Sequence, residues 1–197
     1  MKHKKDYKEK TLEYYNQNNK VFIDGTLNVD FSETQDKFLS FLKPGDKILD
    51  FGCGSGRDTK YFLEKGFEVT AIDGSKKMCE FASQFTGINI TQLDFLDFYE
   101  KERYNGIWAC SSILHLNSKE LLRVLKNISA ALKPDGIFYT SFKYGTFEGE
   151  RNGRFFNDMT QTKFSKLVEK IRFLELLENW VTEDVRTGHK NEKWFNV

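Results

Sequence analysis

The stretch Ile48-Leu49-Asp50-Phe51-Gly52-Cys53-Gly54-Ser55-Gly56-Arg57-Asp58 constrains this chain more than any other. A short apolar strand ends on an acid, glycines follow at alternate positions, and a helical pattern opens at Arg57. Glycine lets a backbone take positive φ and approach a ligand closely. A helix N-terminus presents unpaired N–H groups. In open α/β sheets, ligands bind beyond the carboxyl ends of the strands, near a turn of this kind.

The flanking sequence supplies parallel partners for that strand. Apolar runs at 47–51, 68–72, 88–93, 104–109 and 136–142 read as strands. Helical patterns separate them at 57–65, stopped by Gly66, at 75–84, capped by Ser75, and at 118–132, capped by Ser118. Two further helices are expected upstream, at 7–19 and at 32–41 with Ser32 as N-cap. A helix at 160–170, capped by Thr160, and a hairpin of strands 173–180 and 193–197 close the chain; Val197 falls within the last expected strand. Stretches 144–158 and 182–191 read as loops. Pro44 and Pro134 sit in Lys-Pro-(Gly/Asp) turns that lead into strands. Alternating strands and helices predict an α/β fold with a doubly wound, mostly parallel sheet and helices on both faces.

Composition narrows the function. A length of 197 residues suits one domain, and 39% hydrophobic content with 19 Phe supports a packed core. The net charge of +1 lacks the basic excess of a phosphate-gripping surface, so a nucleic-acid partner is not expected. Residues 1–20 hold six Lys against three acids and read as a solvated arm. Cys53, Cys79 and Cys110 show no CxxC spacing, which predicts reduced thiols and a cytoplasmic protein. His3, His115 and His189 form no ligand cluster, so no metal is expected. There is neither a signal-type apolar segment nor a run of about 18 apolar residues, so no membrane association is expected.

The turn differs from a dinucleotide fingerprint, whose glycines follow G-x-G-x-x-G. Here they stand at Gly52, Gly54 and Gly56, and Asp50 precedes them. An acid is awkward beside a pyrophosphate but suits a ligand that carries an ammonium group, as S-adenosyl-L-methionine does. Asp73 ends the next strand, 23 positions after Asp50, where a carboxylate can accept from both ribose hydroxyls. Asp94-Phe95 follows the third strand and suits an adenine amino group and ring, with Asp97 as the competing acid. Cys110-Ser111-Ser112 follows the fourth strand, where a methyl acceptor would meet the sulfonium.

With these motifs the sequence resembles the class I (Rossmann-like) S-adenosylmethionine-dependent methyltransferases. Within that class it is similar to the small bacterial type that includes the tellurite-resistance methyltransferases. The resemblance covers 47–142 well and the tail more loosely. It implies a seven-stranded sheet with an antiparallel last strand and an N-terminal helical lid. It also implies one domain divided into a cap (1–42), a cofactor-binding core (43–142) and a substrate loop with the C-terminal helix and strands (143–197). The cofactor set it implies is Asp50, Gly52, Cys53, Gly54, Gly56, Asp73, Gly74, Asp94, Phe95, Cys110 and Ser111. The product would be S-adenosyl-L-homocysteine.

On the acceptor side, His115 is the candidate general base, since its ordinary pKa lies near neutrality. Tyr14 and Tyr15 of the expected lid, Lys143, and Arg154 in the Gly-flanked loop are candidate substrate contacts; a guanidinium at Arg154 could clamp an oxyanion. The fourth-strand segment lacks the Asp/Asn-Pro-Pro-aromatic run typical of enzymes that methylate exocyclic amines of bases. The expectation is therefore methyl transfer to a small-molecule acceptor by a monomer or homodimer. The rivals are methylation of nucleic acid or protein, and a cofactor-binding module without turnover.

Overall fold

The computed structural model describes residues 6–186 and 191–197; readings that fall on 1–5 and 187–190 lie outside the described residues. The strand of the glycine turn, β1 (Lys47–Phe51), lies mid-sheet. Ile48, Leu49 and Phe51 are fully buried, as both faces of a parallel sheet require. It pairs in parallel with β2 (Glu68–Asp73) and β4 (Tyr104–Ala109). Outward from these lie β3 (Ile90–Gln92) and β5 (Leu132–Lys143), also parallel. The last strand, β9 (Lys193–Asn196), runs antiparallel to β5, and β8 (Trp180–Glu183) forms the edge beyond it. The seven-stranded order is β3-β2-β1-β4-β5-β9-β8. Strand order reverses between β1 and β4, which opens the ligand crevice at their carboxyl ends.

Helices cover both faces. α6 (Ser118–Ala131) buries Leu121, Val124, Leu125, Ile128 and Ala131, an i, i+3, i+4, i+7 stripe that joins Leu49, Phe51 and Ile107 in the main core. Each large member of the stripe contributes roughly 1.5–3 kcal/mol through burial. On the opposite face α3 (Ser32–Leu39) and α4 (Arg57–Glu64) bring Phe38 and Phe62 against Trp108, which stacks on Tyr139 at 4.0 Å. α5 (Lys76–Thr86) packs beside α4, and Ser75 caps it by accepting from Met78 N–H. Thr160 likewise caps α7 (Gln161–Val168).

Several expectations are corrected. From residue 6 onward the N-terminal stretch is no free arm: α1 (Tyr7–Gln17) and α2 (Asn19–Thr26) form two helices of the lid, broken at Asn18. Asp6 caps α1, accepting from Lys8 and Glu9 N–H at 2.9 Å each. Ser32 is the first residue of its helix and is itself held by Asp30, while Asn117, accepting from Lys119 and Glu120, is the cap of α6 in place of Ser118. No strand forms over 173–179 among the described residues. Conversely, 144–158 is no plain loop. β6 (Glu148–Arg151) and β7 (Arg154–Asn157) pair across Asn152-Gly153, whose φ values of +50° and +76° fit a two-residue hairpin turn. No helix of the described residues is long and apolar enough to cross a membrane.

Candidate active site

The glycine turn is clamped by the end of β2. Ile72 C=O accepts from Gly52 and Cys53 N–H, and Asp73 Oδ2 accepts from Gly54 N–H at 2.9 Å. Gly52 has φ +90°, and a Cβ there would stand 2.4 Å from Ser112 Cβ, so the segment that follows β4 closes directly over the turn. Gly56, at φ +79°, abuts Ala82 and Thr86 of α5 and does not face the crevice. Beyond the turn lies a cavity of about 580 Å³, within the size range of small-molecule sites.

Most of the sequence-derived cofactor residues line this cavity: Gly52, Cys53, Gly54, Asp73, Gly74, Asp94, Phe95, Cys110 and Ser111. Asp50 does not. Its carboxyl lies beneath the turn, 2% exposed, accepting from Thr59 Oγ1 at 2.5 Å. Burial and the nearby Asp58 carboxylate push Asp50 up to about 8, so it offers no full negative charge at neutral pH. An aspartate expected to face an ammonium group thus braces the turn from behind, because β1 points its side chain toward α4.

Asp73 is also raised by burial, against the N–H groups of Ser75 and Gly54 that stabilise its charge. Asp94 caps a short turn through Leu96 N–H, and Phe95 stacks on Phe51 at 4.6 Å. Asp97 does not line the cavity. The Cys110 thiol is pushed up to about 12 by burial and by Asp58, so it stays protonated. Ser111 holds a left-handed φ of +52° while its N–H donates to Ser141 Oγ at 2.9 Å. Strain of this kind persists only where neighbours impose it.

Sequence reasoning missed two parts. Asp58 is a hub: it accepts from Gln35 Nε2 at 2.7 Å, Trp108 Nε1 at 2.8 Å, and Arg57 Nε and Nη2 at 2.7 and 3.0 Å. Burial opposes the Arg57 charge, but Asp58 outweighs it and the Arg57 pKa is raised. An acid in the first turn of a helix was the available signal. The second part is the lid contact. Phe22 of α2 sits over Gly54, and Leu12 of α1 sits over Gly74, where an added Cβ would come within 3.2 and 2.7 Å of them.

The acceptor-side candidates converge on the same cavity. Tyr15 of α1, His115, Lys143 and Arg154 of β7 line it; Tyr14 does not, and instead lies under the Arg154 guanidinium at 4.4 Å. His115 Nδ1 lies 2.6 Å from Phe155 C=O, and Nε2 lies 2.8 Å from Tyr15 Oη. A carbonyl only accepts, so Nδ1 carries the proton and Nε2 accepts from the Tyr15 hydroxyl. Burial, with smaller effects from Arg154 and Arg151, lowers His115 to about 4. Burial raises Tyr15 despite Arg154, so both groups are neutral at physiological pH. Lys143 is neutralised by Asp184 at 3.2 Å and by Glu192.

Residues 48–136 match the family model described as a methyltransferase domain. That stretch, which holds the glycine turn and β1 to β4, is similar to methyltransferase domains. A Bacillus subtilis protein, YqeM, named as a methyltransferase, is 36% identical over 109 residues, covering 49% of this chain and 44% of its own. Phosphoethanolamine N-methyltransferase 1 of Zea mays is 33% identical over 126 residues, covering 59% of this chain and 25% of its own. The chain thus spans less than half the length of these two curated relatives. The Burkholderia thailandensis 1,6-didemethyltoxoflavin-N1-methyltransferase, solved with 1,6-didemethyltoxoflavin and S-adenosylhomocysteine, superposes with a TM-score of 0.73 at 21% identity. It matches over 94% of this chain and 83% of its own, which shows a shared fold. The family match ends before Lys143 and begins after the lid, so Tyr15 and Arg154 lie outside it.

Proposed function

We propose that this protein transfers a methyl group from S-adenosylmethionine to a small-molecule acceptor. The observation that carries the reading is one cavity with two chemically distinct halves under a common lid. The Gly52–Ser55 turn, Asp73, Asp94 and Phe95 form one half; Tyr15, His115 and Arg154 form the other. The donor half suits the cofactor: backbone close to the methionine end, Asp73 for the ribose hydroxyls, and Asp94 with Phe95 for the adenine. When bound, S-adenosylmethionine supplies an electrophilic methyl group, taken by the acceptor's lone pair as the carbon–sulfur electrons return to sulfur.

The chain's own contribution is placement and exclusion of water. Phe22 and Leu12 close the donor half from above. A histidine held near 4 is a weak base. We therefore assign His115 to holding the Tyr15 hydroxyl in place, and the acceptor to reacting through a lone pair it already carries at neutral pH. The lid helices over the cavity favour a small acceptor over an exposed base or side chain. The cysteines are free among the described residues, which supports a reducing, cytoplasmic setting.

Isothermal titration with S-adenosylmethionine, S-adenosylhomocysteine and NAD tests the donor. Micromolar binding of the first two and none of the third is expected; a folded sample silent to both adenosyl ligands overturns the reading. An acceptor screen then compares amines, phosphate esters and carboxylates with the selenium and tellurium oxyanions that the tellurite-resistance resemblance implies.

A further inference from the structure

Arg154 differs from the other arginines around the cavity. Arg57, Arg151 and Arg186 lie against Asp58, Asp158 and Asp184 at 2.7, 2.7 and 2.6 Å. Arg154 has no carboxylate partner among the described residues. Its one hydrogen bond among them runs from Nη1 to Tyr15 Oη at a long 3.3 Å, and its Nε is buried without a partner. Aromatic rings hold the group: Tyr14, Phe156 and Tyr15 lie 4.4, 5.0 and 5.7 Å from the guanidinium carbon. Ring faces attract the cation but leave its in-plane N–H groups unused. Charged donors left unmade at a partly buried site carry a cost, and a ligand that completes them removes it.

Position adds a second observation. Arg154 lines both the cavity and an outer depression, and Phe22, Thr26, Val29 and Arg186 are also common to the two. Arg154 therefore borders both the cavity and a surface depression next to it. A planar fork of donors pairs best with a carboxylate or phosphoryl group.

We infer that the acceptor carries an oxyanion, a carboxylate or phosphoryl group, which seats on Arg154 beside the Tyr15 hydroxyl. This rests on the methyltransferase reading of the same cavity. The test uses the full chain saturated with S-adenosylhomocysteine, so that the donor half is filled. Inorganic phosphate, benzoate and the neutral benzamide are titrated calorimetrically into the wild-type protein, Arg154→Gln and Arg154→Lys. Binding of at least one anion, none of benzamide, and a loss of tenfold or more in Arg154→Gln are expected. Arg154→Lys should keep phosphate and weaken benzoate, since an ammonium lacks the fork. Stronger phosphate than benzoate binding identifies a phosphoryl acceptor; the reverse identifies a carboxylate.

Should Arg154→Gln fail to fold, phenylglyoxal labelling of the wild-type protein replaces it, with protection of the Arg154 peptide by the bound anion as the readout. Normal S-adenosylhomocysteine binding without anion binding, anion affinity unchanged in Arg154→Gln, or no protection overturns the inference while leaving the methyltransferase reading intact. Absence of S-adenosylhomocysteine binding overturns that reading itself.

Discussion

Gly52→Ala is the sharpest probe of how the glycine turn meets the segment that follows β4. The residue sits at φ +90°, and an added Cβ would lie 2.4 Å from Ser112 Cβ and 2.9 Å from the Phe95 ring. A left-handed backbone costs an L-residue roughly 1–2 kcal/mol. Overpacking a rigid contact adds about 1–3 kcal/mol, so the total loss is about 2–5 kcal/mol. At roughly 2–4 °C per kcal/mol for a domain of this size, the melting temperature should fall by about 4–20 °C. Urea denaturation gives the free energy directly. The two contributions separate in a double-mutant cycle with Ser112→Gly. That change alone loses the bond from Ser112 Oγ to Phe51 C=O, worth about 0.5–1.5 kcal/mol. In the Gly52→Ala background it also relieves the clash, so the pair should be coupled favourably by more than about 1 kcal/mol. A loss below about 1 kcal/mol for Gly52→Ala, or additivity within about 0.5 kcal/mol, would refute the close approach of that segment to the turn.

Three further outcomes are expected. Asp58→Asn strips the charge from the hub that holds Arg57, Gln35 and Trp108, and should cost about 3–5 kcal/mol in urea denaturation; a loss under about 1 kcal/mol would show that the Arg57 charge needs no partner. Asp73→Asn should raise the S-adenosylhomocysteine Kd about 10- to 100-fold, from roughly 1.5–3 kcal/mol of charged hydrogen bonding, and unchanged titration would remove Asp73 from the ribose role. His115 is lowered from 6.5 to about 4, so the unfolded chain takes the proton first as pH falls. Its contribution is therefore full above pH 6.5 and lost between 6.5 and 4, by at most about 3 kcal/mol. His115→Gln should flatten that part of the stability–pH curve, and an unaltered curve would contradict a buried neutral imidazole.

The glycine turn and the sheet around it were legible because their constraints are local. Glycines at 52, 54 and 56, acids at strand ends and β1 to β4 all follow from short-range pattern, and β1 and β4 occur with the bounds that periodicity assigns. Asp50 was misjudged because a strand-end acid can point either into the crevice or beneath it, and only packing against α4 decides. Tyr15, His115 and Arg154 were named as candidates, but their meeting in one place was less legible, since they come from segments about 40–140 positions apart. One local signal was there to be used: Asn152-Gly153 is the strongest short hairpin dipeptide, and it sets Arg154 and the Phe155 carbonyl in place. The helix α2 was missed because its short run at Phe22–Ile23 carries no cap, and indeed Asn18 makes no side-chain capping bond.

The β6–β7 hairpin forms a separate two-stranded sheet that shares no strand pairing with the seven-stranded one. Its turn is exposed, and exposed loops tolerate exchange of length and sequence far better than buried strands. On the proposed function, donor and acceptor recognition would therefore lie on different pieces of chain. The glycine turn and strand ends would hold the methyl donor, while Arg154 on the hairpin would face the acceptor. Phe156 joins the main core and Asn157 is fully buried, so the positions free to change lie near the turn, at Asn152 and Gly153.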